Sequence, residues 1–80
     1  MQKPENISKR NQILTMREIE ADYEKVLALV KTIRKRQYEL MREITIDKQT
    51  KHRAQTGIDY TWYNLETDYN VFKRIMKEVE

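Results

Sequence analysis

The sequence predicts an all-α protein, a helical hairpin with seams of the coiled-coil kind, and three observations predict it. Apolar residues recur in two stretches with alternating steps of three and four, glycine and proline occur once each in 80 residues, and 36% of the chain is charged. Alternating steps of three and four keep side chains on one side of a helix. Glycine and proline are the residues that most weaken a helix interior. A chain built largely from Leu, Ile, Val, Met, Tyr, Lys, Arg and Glu has the composition of long helices.

The first helix rests on Met16, Ile19, Tyr23, Val26, Val30, Ile33, Gln37, Leu40 and Ile44, a seam broken only by Gln37. Its start is written locally. Thr15-Met16-Arg17-Glu18 has the Ser/Thr-x-x-Glu form in which hydroxyl and carboxylate satisfy free backbone N–H groups, and Leu14 and Ile19 stand where a hydrophobic staple would close. These signals place the N-cap at Thr15. Residues 1–14, with Pro4 and the polar run 8–12, then form a short helix or a mobile arm, and a continuous helix back to about Asn6 is the competing reading.

The second helix rests on Ile58, Trp62, Leu65, Tyr69, Phe72, Met76 and Val79, the same alternation without a polar interruption. Between the seams, residues 45–57 lose apolar periodicity, and Gly57 takes a helix-ending left-handed conformation without strain. The turn is therefore predicted near Gly57, with Thr56 or Asp59 as the cap that follows. The expected unit, residues 15–80, has its first helix at about 16–51 and its second at about 59–79. Helices of roughly 50 and 30 Å follow at ~1.5 Å per residue, so the second covers the C-terminal part of the first and leaves its N-terminal turns bare.

Eighty residues make one small domain whose core is marginal without a disulfide, a metal or a second chain. There is no cysteine, and His52 is the single histidine, so disulfides and sulfur- or imidazole-rich metal sites drop out. Oligomerisation is the route that remains. The run 26–30 is apolar at all five positions, which occupy the whole circumference of a helix, so one neighbour cannot bury them all. Val26, Leu27, Leu29, Val30 and Ile33 are the expected core of a homodimer, assembled as a four-helix bundle.

That run is far short of the ~18 residues a membrane span requires. The N-terminus has no apolar segment behind its charge, so a cytoplasmic protein is expected. Catalysis is not expected either. Glu18/Asp22, Glu20/Glu24 and Glu39/Glu43 are spaced for one helix face, but the Glu-x-x-His elements of dimetal carboxylate sites are missing, as is any Gly-rich phosphate loop. No catalytic residue, metal ligand or cofactor is assigned.

Two surfaces remain as candidates for binding. Residues 31–56 carry eight basic and three acidic side chains, against five of each in residues 1–30 and three against five in residues 57–80. Lys31, Lys35 and Arg42 fall on one side of a helix with Arg34 and Tyr38 at its margin, a strip able to follow a phosphate backbone. On the second helix, Tyr60, Tyr63, Asn64, Thr67 and Val71 project away from the seam without a charge. Uncharged, Tyr-rich surface is the composition of interface centres. The expectation is a non-enzymatic protein–protein interaction module, such as an adaptor, assembly factor, or regulator or inhibitor of a larger protein, and its small size is compatible with a bacterial or phage accessory protein. A dimeric nucleic-acid-binding protein using the basic strip is the alternative.

Overall fold

The computed structural model describes residues 4–80, with side chains from residue 8 onward. Two helices, α1 (Pro4–Glu43) and α2 (Lys48–Val79), fold back on one another as an antiparallel hairpin measuring 69 × 16 × 14 Å. The predicted all-α hairpin is therefore the observed one, with different boundaries.

α1 begins at Pro4 rather than at the Thr15 cap. Proline suits a first turn, where its missing N–H would have no helical partner anyway. Nothing in Thr15-Met16-Arg17-Glu18 interrupts a helix, so the four residues continue one instead of starting it. The competing continuous helix is the better description, and residues 1–3 of the predicted arm lie outside the described residues.

The turn lies at residues 44–47, not near Gly57. Asp47 adopts extended backbone with φ −66° and ψ 149° and caps α2: its Oδ1 accepts from the Thr50 N–H at 2.8 Å, and the Thr50 hydroxyl donates to its Oδ2 at 2.7 Å. Those bonds, the hydroxyl first, hold the Asp47 carboxyl below its ordinary value of 3.8. Thr45 and Ile46, both β-branched, favour extended backbone just before the cap. Arg42 in the last turn of α1 complements the negative end of its dipole. Gly57 sits inside α2 with no positive φ. Glycine permits a left-handed end but does not impose one, and here the strong Asp cap ten residues earlier decides.

Layers along the hairpin are Gln37 against Ala54, Arg34 against Asp59 and Tyr23 against Tyr69 and Phe72. Extended in step, this register sets the C-terminus of α2 beside residues 13–16, so the first turns of α1 project beyond it. Residues 8–12 are accordingly exposed. The α2 seam is as predicted: Ile58, Trp62, Leu65, Phe72 and Val79 are half-buried, and Tyr69 and Met76 are buried.

The α1 seam is shifted. The positions that turn toward α2 are Met16, Glu20, Tyr23, Leu27, Val30, Arg34, Gln37, Met41 and Ile44, all half-buried or buried, and Ile19 of the predicted seam is half-buried as well. The predicted Val26, Ile33 and Leu40 stand outside, at 42, 45 and 49% exposure. Both sets share Met16, Tyr23, Val30, Gln37 and Ile44. Arg34, one of the positions found only in the observed seam, meets α2 directly: its Nε donates to Asp59 Oδ1 at 3.0 Å, and its charge lies 5.6 Å from the Trp62 ring centre. Gln37, the polar break in the seam, donates from Nε2 to the Ala54 carbonyl at 3.1 Å.

One layer between the helices is aromatic. Tyr23 stacks on Tyr69 with centroids 5.3 Å apart and an interplanar angle of 20°, and Phe72 lies 5.8 Å from Tyr23. The Tyr69 hydroxyl donates to Glu24 Oε1 at 2.9 Å, and the Lys73 ammonium lies 4.2 Å from its ring centre. Burial, then the hydrogen bond to Glu24 and the charges of Glu24 and Glu20, push the Tyr69 hydroxyl from 10.0 up to about 12.

Candidate functional site

Three surfaces of the hairpin differ from a solvated helix face. The first is an open groove of about 370 Å³ between the helices, lined by Lys31, Arg34, Lys35, Tyr38, Glu39, Arg42 and Gln55. All five residues of the predicted basic strip are brought together here. Their cations are not equivalent. Arg34 is bound to Asp59, and the Arg42 guanidinium lies 4.9 Å from the Tyr38 ring centre, whereas Lys31 and Lys35 make no ion pair among the described residues. Gln55 was not singled out by the sequence. Its Oε1 is buried without a hydrogen-bond partner among the described residues, an unmet acceptor at the groove wall.

The second is a hollow of about 380 Å³ on α2, lined by Thr56, Asp59, Tyr60 and Tyr63. Tyr60 and Tyr63 are 63 and 65% exposed. Arg34 lines the groove and Asp59 lines the hollow, so their ion pair at 3.0 Å is the ridge between the two. Two candidate surfaces that are 25 residues apart along the chain at this pair thus adjoin on one side of the hairpin. Asn64, Thr67 and Val71, the rest of the predicted docking face, are exposed but outside the hollow.

The third surface carries Val26, Leu29 and Ile33 of the expected dimer core. Of the expected dimer core, Val30 is buried at 7% exposure and Leu27 is half-buried, both against α2. Val26, Leu29 and Ile33 remain exposed, Leu29 at 63%. With Leu40 they form an apolar stripe along the middle of α1. Each member immediately precedes a residue that faces α2, so the stripe is rotated by one residue step, ~100°, from the hairpin interface. It is a second face beside the first.

Glu18, Asp22, Glu24, Glu39 and Glu43 are all exposed, and Glu20 is half-buried. His52 is exposed, with Nε2 3.4 Å from the Thr56 hydroxyl. No described helix is long and apolar enough to cross a membrane. The chain matches no protein-family model, no curated protein and no solved structure.

Proposed function

We propose that the protein is a non-enzymatic helical interaction module, a hairpin that pairs with a second copy through α1 and offers its remaining apolar surface to a larger protein. The observation that carries this reading is the stripe Val26, Leu29, Ile33 and Leu40. Among the described residues only Val30, Tyr69 and Met76 are buried, at 7–8% exposure, a small core for a chain of 80 residues, while four large aliphatic side chains stand 42–63% exposed in register along one helix. Apolar surface of that extent is where association gains most. Docking a second α1 there gives the four-helix arrangement without displacing α2, because the two faces lie about a quarter-turn apart.

For the larger partner, Tyr60 and Tyr63 are the anchors. Both are exposed and contribute little to the hairpin seam. Capture experiments should therefore compare the unmodified protein with Tyr60→Lys/Tyr63→Lys, with and without nuclease. The reading predicts a protein that survives nuclease, is lost from the variant, and whose loss costs on the order of 2 kcal/mol or more of binding. Equal capture by both forms would contradict it.

A second reading is favoured by one specific observation, the convergence of Lys31, Lys35, Arg42 and Tyr38 in a single groove. In that reading the groove tracks a nucleic-acid backbone, with an aromatic ring available to a base. Nuclease-sensitive capture, with binding that weakens steeply as salt rises, would favour it.

A further inference from the structure

Resting on the proposed self-association, we infer that the second copy docks on α1 antiparallel, with the twofold axis passing near residues 27–28. In sequence the stripe reads Ile19, Asp22, Val26, Leu29, Ile33, Arg36 and Leu40, again in steps of three and four. It contains two charges, of opposite sign, each seven residues from Leu29, and both Asp22 and Arg36 are exposed. Residues 18–24 hold Glu18, Glu20, Asp22 and Glu24 and no basic residue, whereas residues 31–36 hold Lys31, Arg34, Lys35 and Arg36 and no acidic one.

A parallel copy would set Asp22 beside Asp22 and Arg36 beside Arg36, acidic segment on acidic and basic on basic. An antiparallel copy reverses this. With the axis near residues 27–28, Val26 of one copy meets Leu29 of the other, and the reverse pair meets across the twofold. Arg36 then reaches the layer of Ile19 in the second copy, between Glu18 and Asp22. Opposite charges are juxtaposed twice per dimer, and Glu18, Asp22 and Arg36 are all exposed on the hairpin.

The absence of cysteine makes single-site spin labelling clean. Asn11 and Thr32 are exposed and outside the stripe, the groove and the hollow. In the 80-residue chain the rise of ~1.5 Å per residue places labels on Asn11→Cys roughly 50 Å apart, and labels on Thr32→Cys within about 25 Å. Short distances at both sites would overturn the antiparallel docking while leaving self-association standing, and a Thr32 distance beyond about 30 Å would overturn the register. A monomeric mass with no dipolar coupling at either site would overturn this inference together with the pairing it rests on. The charge pairing has its own readout: Arg36→Glu should weaken the dimer at least tenfold, and adding Glu18→Arg and Asp22→Arg should restore it. Failure of that rescue in a folded protein would contradict the pairing of Arg36 with those carboxylates.

Discussion

Replacing Tyr69 by Phe removes one oxygen from the aromatic layer and leaves the ring. The stack on Tyr23, at 5.3 Å between centroids, is kept, and the hydrogen bond to Glu24 at 2.9 Å is lost. A hydrogen bond to a charged group contributes about 1.5–3 kcal/mol net. Glu24 is exposed, so water replaces the lost donor and the cost should fall near the lower end, about 1.5 kcal/mol. Tyr69→Ala also removes the buried ring and should cost about 3–5 kcal/mol. Urea unfolding followed by circular dichroism at fixed protein concentration measures both. The pH dependence separates the hydroxyl from packing. Because the folded hydroxyl is raised from 10.0 to about 12, its contribution is complete below pH 10 and is lost as pH rises through about 12. Tyr69→Phe should remove that part of the alkaline loss. Equal stability of Tyr69→Phe and the parent at pH 7, with an unchanged alkaline limb, would refute the role given to the Tyr69–Glu24 bond.

Other consequences follow from single positions. Gly57 lies in a helix interior where an added Cβ meets nothing within 4 Å, so Gly57→Ala should raise stability by about 0.5–1 kcal/mol in the same assay. Asp47→Ala should destabilise the start of α2 at neutral pH. The difference from the parent should vanish in acid, because a lowered carboxyl stabilises above 3.8 and loses that contribution as pH falls through its folded value. Lys31→Gln/Lys35→Gln/Arg42→Gln should keep helicity, since Gln forms helix comparably. If the groove holds a nucleic-acid backbone, the triple variant should also flatten the salt dependence of binding by about one unit of slope per lost contact, read from affinities at several salt concentrations.

The all-α class and the α2 seam were legible because period and composition act over many residues, and no single position could overturn them. Boundaries were less legible because each hung on one local signal. Gly57 is the instructive case: its freedom to end a helix is a permission, whereas the Asp47 cap with Thr50 is a set of bonds that form. Asp47 was in plain view after Thr45 and Ile46, and an Asp following two β-branched residues is a start signal that could have outweighed the glycine. The α1 seam failed differently. Residues 26–30 supply apolar side chains to both candidate faces, so periodicity does not choose between them, and Arg34 faces a partner, Asp59, 25 residues away along the chain. The five basic-strip residues line one groove because they share one helix, while Gln55, on the other wall, carries no signal that helical spacing could expose.

If pairing through α1 completes the core, the mass and helicity of the hairpin depend on protein concentration. Sedimentation of the unmodified protein across a dilution series, with helicity recorded in parallel, tests this most directly. A particle of about twice 9.8 kDa is expected at micromolar concentration, losing mass and helicity together on dilution, whereas a 9.8 kDa particle that stays fully helical throughout would rule the pairing out.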